Sequence, residues 1–285
     1  MILIDFNGIA ISNIVTQKLA VEENLIRHMI LNSIRMYRSK FHEQYGEVVI
    51  CCDAGNNWRR DIYPQYKYKR KASREASADY WNEIFTILNK IRSEIEENFP
   101  YKFMMVDKCE ADDIIAQLAF NTQEFGNYED VLIVSADKDF AQLQVMSNVK
   151  QYSPMKKKFI VEDNPRLMLL QHVLKGDSSD GVPNVLSDDD CFVEGRRQSP
   201  VTKKFIESVV AADCPEECTF FTEDISRNYQ RNKKMIDLSE LPEMLKTEII
   251  NKYESQDPWS NRGKVLGYLI ANNCKRLIED IKDFL

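Results

Sequence analysis

The chain has 285 residues, of which 44% are hydrophobic and 29% are charged, with a formal net charge of −7 at pH 7. This composition is typical of a globular protein with one large or two smaller cores. No apolar run reaches membrane-spanning length, and the opening MILIDF lacks the features of a signal peptide, so a membrane or export function is not expected.

The first half of the chain alternates short apolar runs with longer helical patterns. Such runs are typical of strands buried on both faces of a parallel sheet, and the helical period is clear in 25–37 and 80–98. The alternation predicts an α/β fold, with a mostly parallel central sheet and helices on both faces. The four runs are ILID (2–5), VVICCD (48–53), FMMVD (103–107) and VLIVSAD (131–137).

The second half of the chain has a different pattern. VKQYSPMKKKFIV (149–161) predicts a hairpin, and the sequence is almost wholly helical from Pro165 onward. Pro165 and Gly176 suit the start and the end of one helix. We therefore place a domain boundary near 163. Further helices are predicted at 201–212, 240–254 and 262–283.

Each of the four predicted strands ends in an aspartate. Because the carboxyl ends of parallel strands meet at one edge of a sheet, these side chains are expected to lie close together. Helix capping would explain one or two of them but not all four. Asp139 lies only two residues after Asp137, the aspartate that ends the fourth strand. A cation would compensate the repulsion between these two like charges. The four are Asp5, Asp53, Asp107 and Asp137.

Two further acidic pairs strengthen the prediction of a metal site. Glu110 and Asp112 precede a helical pattern, and Asp177 and Asp180 follow a helix C-terminus, where negative charge is unfavourable. Clusters of carboxylate oxygens suit Mg²⁺ or Mn²⁺ rather than zinc. The three histidines (28, 42 and 172) are interpreted as structural or surface residues away from these clusters.

The segment WRRDIYPQYKYKRKASR (58–74) combines basic residues with interleaved aromatic ones. Basic grooves with aromatic side chains suit single-stranded nucleic acid. The alternative is a solvated, charged loop without a ligand.

Five motifs, taken together and in order, resemble the flap-endonuclease (structure-specific 5′-nuclease) family, and within it the RNase H-type 5′→3′ exonucleases of phages. The resemblance covers nearly the whole chain. It implies a 5′-nuclease (PIN-like) domain at 1–163 with a basic arch segment at about 58–80. A helical DNA-binding domain with a variant helix–hairpin–helix would follow at 164–285. The motifs are LIDFNGIA, CCDAGNNWRRDIYPQYKYKR, EADDIIA, VSADKDFAQL and LKGDSSDGVP.

The resemblance also implies roles for individual residues. Lys67 and Arg59 would contact the scissile phosphate, and Tyr66 would stack near the terminal base. One ion would be held by Asp5, Asp53, Asp112 and Asp137, and a second, largely through water, by Glu110, Asp139, Asp177 and Asp180. Other expected nucleic-acid contacts are Arg60, Lys69, Arg70, Lys71, Arg196, Arg197, Lys203 and Lys204.

The expected activity is that of a Mg²⁺-dependent hydrolase with two ions, which Mn²⁺ could replace. It would be a 5′→3′ exonuclease and flap endonuclease that removes RNA primers and adjacent DNA in replication, with RNase H activity on RNA–DNA hybrids. One alternative is a non-catalytic accessory protein that binds DNA junctions. A small-molecule phosphatase or phospho-acceptor domain is another, since these also gather aspartates at strand ends.

The expected partners are DNA and RNA–DNA hybrids with 5′ ends or flaps. Without the eight proposed ligands the rest of the chain has a net charge of +1, so a nucleic-acid partner is compatible with the acidic total. A sliding clamp and a single-stranded-DNA-binding protein are further candidate partners. The terminal Phe284 and Leu285 would either dock in a clamp pocket or pack the last helix. We expect a monomer in the cytoplasm, that of the host cell if a phage encodes it.

Overall fold

The structure is a computed structural model that describes residues 1–16, 21–68, 78–212 and 218–285. The chain divides into two compact units, which are described separately. The predicted boundary near 163 lies close to one of the division points. However, 57–68 group with the second unit and 243–285 with the first. The first unit consists of Met1–Asn56, Ala78–Val161 and Glu243–Leu285, and the second of Asn57–Ser77 and Glu162–Pro242.

The first unit is built on a six-stranded sheet with the order β3-β2-β1-β4-β5-β6. The first five strands are parallel, and β6 pairs with β5 in the antiparallel direction. This arrangement confirms the α/β fold with a mostly parallel sheet. The strands are β1 (Ile2–Asp5), β2 (Val48–Cys51), β3 (Lys102–Met104), β4 (Val131–Val134), β5 (Val149–Ser153) and β6 (Lys158–Ile160).

The order of the strands reverses beside β1, which pairs with β2 on one side and with β4 on the other. Open α/β sheets bind ligands outside the carboxyl ends of the strands at such a point. Asp5 is the last residue of β1, and Asp53 and Asp137 follow shortly after β2 and β4. The sheet topology therefore places all three at one edge. The parallel strand β5 also ends there.

The helices differ from the predictions mainly near the end of the chain. The prediction of a single helix at 262–283 is wrong. The helix is interrupted at Asn273, whose φ of 54° is incompatible with a continuing helix. The helix α8 was not predicted, because it has few apolar residues. The α-helices are α1 (Phe6–Thr16), α2 (Glu23–Tyr45), α3 (Arg59–Ile62), α4 (Ala78–Asn98), α5 (Ala111–Asn121), α6 (Pro165–Lys175), α7 (Lys203–Val210), α8 (Glu223–Ile236), α9 (Glu243–Glu254), α10 (Val265–Ala271) and α11 (Lys275–Glu279), and 3₁₀ turns include Lys138–Val145.

Each unit has its own apolar core. In the first, α2 and α4 bury their apolar faces, and Phe284 packs against Phe99 with ring centroids 5.4 Å apart. In the second, α6, α7 and α8 enclose a core that includes the rings of Tyr63 and Tyr66. Among the described helices, none is both long enough and apolar enough to cross a bilayer.

The burial of Phe284 makes its removal costly. The side chain is 0% exposed, so Phe284→Ala should lower the free energy of unfolding by about 3–5 kcal/mol. Phe125→Ala is the matched control, because Phe125 is fully exposed and its loss should change stability by less than about 0.5 kcal/mol. Urea denaturation of both variants measures the difference. If both variants changed the free energy of unfolding by the same small amount, Phe284 would not be packed in the core and could contact a partner.

Candidate metal centre and nucleic-acid interface

Asp5 is buried at the end of β1, with 8% of its surface exposed. One oxygen accepts the Gly8 N–H at 2.8 Å, and the other accepts the Ser135 hydroxyl at 2.9 Å. Burial, together with the nearby charges of Asp53 and Asp137, raises the pKa of Asp5 from 3.8 to about 6, although the two hydrogen bonds act in the opposite direction. A cation at this position would favour the ionised form.

The glycine of LIDFNGIA is required by this carboxylate. A Cβ atom on Gly8 would lie 2.2 Å from Oδ2 of Asp5, which is far inside van der Waals contact. Any other residue would displace the Asp5 side chain. The sequence motif therefore encodes the close approach of α1 to the end of β1.

Asp53 is held from two directions. Its Oδ1 accepts the Ala111 N–H at the start of α5 at 2.8 Å. Its Oδ2 accepts a short hydrogen bond from the Asn7 side chain, whose own oxygen accepts from Arg92 on α4. Sequence reasoning did not identify Asn7 or Arg92, although Asn7 lies within the first motif. This chain of contacts fixes Asp53 at the same edge as Asp5.

Asp137 and Asp139 lie where β4 leads into a 3₁₀ turn. Oδ1 of Asp137 accepts the Asp139 N–H at 3.0 Å, so part of the reason for their spacing is capping. The carbonyls of Ser135 and Asp137 accept the side-chain amide of Gln151 at 3.1 and 2.6 Å. Gln151 is completely buried on β5. It therefore holds the backbone that carries Asp137, a role that its sequence context did not indicate.

Glu110 precedes α5 as predicted and caps it, whereas Asp112 lies within the first turn of the helix. Asp113 accepts the Glu110 N–H at 2.9 Å in a reciprocal capping box. Asp113 itself is fully buried. Asp107, the last of the strand-end aspartates to be located, is an exposed turn residue.

In the second unit, Asp177 is buried and engaged by several donors. Its Oδ1 accepts from the backbone and the hydroxyl of Ser179 at 2.8 and 2.6 Å. Its Oδ2 lies 3.1 Å from Nε2 of His172. The prediction that His172 lies away from the acidic clusters is therefore wrong. His172 is in the last turn of α6 and contacts Asp177 in the loop directly after this helix.

Lys67 and Asp180 are joined twice within the second unit. The Lys67 N–H donates to the Asp180 carbonyl at 2.7 Å, and the Lys67 ammonium lies 3.5 Å from the Asp180 carboxylate. Lys67 has a φ of 57°, which is uncommon for a residue other than glycine and often marks a functional position. Gly181 allows this close approach, since a Cβ there would lie 3.1 Å from the Gln65 carbonyl.

The described aromatic residues of the basic segment are not exposed as stacking would require. The Tyr66 ring is 4% exposed, and its hydroxyl lies 3.2 Å from Oδ2 of Asp180. Arg59 is 2% exposed, its Nε donates to the Met235 carbonyl at 3.0 Å, and its guanidinium lies over the Trp58 ring. Apolar rings with satisfied polar groups are stable in a core. Three other predicted contacts, Lys69, Arg70 and Lys71, lie outside the described residues.

The remaining side chains that were predicted to contact phosphates differ in their exposure and in their ion pairs. Arg196 forms ion pairs with three acidic side chains, Asp188, Asp190 and Glu194, which compensate its charge. Arg60 and Arg197 are exposed. Lys203 and Lys204 are also exposed at the start of α7, where the helix dipole adds positive potential, and Lys203 forms a surface ion pair with Glu207 at 3.6 Å.

Comparison with known proteins gives matches over the whole chain. Residues 1–168 match the family model for the 5′-3′ exonuclease N-terminal resolvase-like domain, and residues 163–284 match the T4 RNase H C-terminal model. The chain is 34% identical to the ribonuclease H of Enterobacteria phage T4 over 293 aligned positions, covering 99% of this chain and 95% of that protein. It is 29% identical to a 5′-3′ exonuclease of Buchnera aphidicola, covering 55% of this chain and 53% of that protein.

The fold is also similar to that of a solved structure. A flap endonuclease of bacteriophage T5, in a pseudo-enzyme–product complex with DNA and metal ions, superposes with a TM-score of 0.62 at 13% identity. The match covers 94% of this chain and 98% of the T5 protein. At this identity the comparison supports the fold.

Asp5→Asn should stabilise the protein at high pH when divalent ions are removed. Because the folded-state pKa of Asp5 is raised to about 6, the ionised wild-type side chain destabilises the fold progressively as pH rises from about 4 to above 6. At pH 8 the variant should be more stable by up to about 3 kcal/mol, and the difference should vanish near pH 4.

Urea denaturation in EDTA at pH 4, 6 and 8 measures this dependence. Asp107→Asn is the matched control, since Asp107 is exposed at the same edge of the sheet. A stability difference that does not shrink on acidification would show that the burial of the Asp5 charge is not its cause.

Proposed function

Since the chain belongs to the 5′-3′ exonuclease family with a C-terminal region of the T4 RNase H type, we propose that it is a Mg²⁺-dependent 5′→3′ exonuclease and flap endonuclease. Its substrates would be RNA primers, including RNA in RNA–DNA hybrids, and the adjacent DNA. The observation that carries this proposal is the convergence of Asp5, Asp53 and Asp137 at the edge where the strand order reverses. Divalent cations there would offset the burial and mutual repulsion of these carboxylates.

The donors at this edge fit hard divalent ions, because all of them are carboxylate oxygens. When bound, such ions make a water molecule nucleophilic and stabilise the leaving oxygen. The chain supplies the positioning: Gly8 and Ser135 orient Asp5, and Asn7 orients Asp53. We assign Asp5, Asp53, Asp112 and Asp137 to one ion, and Glu110, Asp139, Asp177 and Asp180 to a second.

Lys67 is the residue that we assign to the scissile phosphate. Its ammonium is held by Asp180, and a substrate phosphate would compete with that carboxylate for it. A positive charge fixed in this way stabilises the negative charge that develops in the transition state. Arg59, buried and bound to the Met235 carbonyl, is better suited to holding this segment in place than to contacting substrate.

The duplex contacts and the partners are further parts of the proposal. Arg197, Lys203 and Lys204 are exposed and could contact phosphates, whereas Arg196 would first have to leave its three acidic partners. We retain a sliding clamp and a single-stranded-DNA-binding protein as partners of a monomeric enzyme. The buried Phe284 does not support a clamp contact through the C-terminal phenylalanine.

Asp137→Asn tests the activity and the site together, because it removes one charge and keeps the shape. With a 5′-labelled RNA–DNA strand annealed to a template, wild type should release short 5′ products in Mg²⁺ and none in EDTA. The variant should be slower by about 100- to 1000-fold. Asp107→Asn should cleave at the wild-type rate. Binding by wild type without cleavage would favour the accessory-protein alternative, and neither binding nor cleavage would favour a small-molecule phosphatase.

Gln151→Leu tests whether the hydrogen bonds to the Asp137 loop position the metal centre. We expect the Mg²⁺ concentration for half-maximal cleavage to rise about 10-fold or more, since residues behind metal ligands typically contribute that much affinity. Saturating Mg²⁺ should restore most of the rate.

The matched control for this variant is Gln256→Leu. Gln256 exchanges hydrogen bonds with the Phe103 backbone on β3, away from the carboxylates. The Gln256→Leu variant should be less stable than wild type, but its Mg²⁺ concentration for half-maximal cleavage should be unchanged. The same shift in both variants would mean that Gln151 acts only through general stability.

A further inference from the structure

The β5–β6 hairpin (149–161), here called the lysine hairpin, is a basic surface to which the proposed mechanism assigns no role. It contains four lysines and no acidic residue. All four are exposed, and within the described part of the chain none forms an ion pair. In a chain with a net charge of −7, such a local excess of positive charge requires an explanation. The lysines are Lys150, Lys156, Lys157 and Lys158.

The position of the lysine hairpin relates it to the metal centre. Its turn, 154–157, follows the carboxyl end of β5 and so lies at the same edge of the sheet as Asp5 and Asp137. In the sheet, β5 is two strands from β1 and β6 is three. With neighbouring strands about 4.8 Å apart, the lateral offset from Asp5 is about 10–15 Å. At about 3.4 Å per base step, this corresponds to about three to four nucleotides.

The hairpin is also anchored firmly to the sheet. Tyr152 and Phe159 are cross-strand partners with ring centroids 5.5 Å apart, and both pack against Phe41 of α2. Gln151, on the same strand, donates to the carbonyl of Asp137. The backbone that carries the lysines is therefore connected directly to the backbone that carries a proposed metal ligand.

We propose that the lysine hairpin binds the phosphate backbone of the duplex part of the substrate, about three to four nucleotides from the cleaved bond. The proposal rests on the nuclease function proposed above. Lysine ammonium groups bind phosphates as point charges without reading base sequence. Single-strand binding would call for several aromatic platforms. The hairpin has one exposed aromatic ring, that of Phe159 (43% exposed), and it is held edge-on against Tyr152.

The test removes three of these charges in Lys156→Gln/Lys157→Gln/Lys158→Gln. The matched control, Lys275→Gln/Arg276→Gln/Lys282→Gln, removes three exposed charges from the C-terminal segment of the same unit. Fluorescence anisotropy in EDTA gives the affinity of each protein for a 5′-flapped duplex and for a single strand of the same sequence, between 50 and 200 mM NaCl. All six side chains are exposed, and thermal unfolding should confirm that both variants fold.

For the duplex, the hairpin variant should show a slope of log affinity against log salt that is shallower by about 2–3, since each lost phosphate contact contributes about 0.9. Its single-strand affinity and the control variant's slope should match wild type. An unchanged duplex slope, or equal losses for duplex and single strand, would overturn the proposal.

Cleavage separates this proposal from the proposed function. With enzyme in saturating excess and Mg²⁺ present, the hairpin variant should cleave the flapped duplex within about threefold of the wild-type rate, while kcat/KM falls with the duplex affinity. A large loss of the saturated rate would overturn a role in binding alone. Failure of wild type to cleave would refute the nuclease function, whereas the salt dependence would still report on the hairpin.

Discussion

Repulsion among carboxylates gathered at one edge of a parallel sheet is the constraint on which the rest of this structure depends. Asp5 is buried at the end of β1, with the charges of Asp53 and Asp137 nearby, and its pKa is raised accordingly. Hydrogen bonds from the Gly8 backbone and the Ser135 hydroxyl partly offset this cost. Without a cation, the clustered carboxylates lower the stability of the fold, and a bound cation would remove that cost. Functional sites commonly reduce protein stability in this way.

The sheet also determines which groups can act together. Strand β1 is flanked by β2 and β4, so residues that are far apart in the chain meet at its carboxyl end. Strand β5 extends the same edge, and its Gln151 contacts the backbone of Asp137. The lysine hairpin includes that strand, the turn after it and β6. The hydrogen-bonded sheet thus sets a fixed spacing between the proposed chemistry and the proposed duplex contact.

The second unit shows how a basic and aromatic pattern can serve the core. Tyr63 and Tyr66 bury their rings, while their hydroxyls bond to Gly181 and Asp180, respectively. Tyrosine suits both an interior and a nucleic-acid surface, because it combines a large apolar ring with a polar end. Composition alone could not separate these two uses. The pairing of Lys67 with Asp180, which joins two sequence motifs, is likewise visible only in the folded unit.

The sequence by itself determined the α/β class, because continuous apolar runs separated by helical periods allow few other arrangements. It also determined that aspartates follow the strands, since the runs and the acids are adjacent in the chain. Tertiary structure decided the contacts of Gln151, His172 and Arg92, whose local sequence carries no signal for them. It also decided that Tyr66 is buried. Periodicity reports which face of an element is apolar, whereas long-range hydrogen bonds depend on which elements become neighbours.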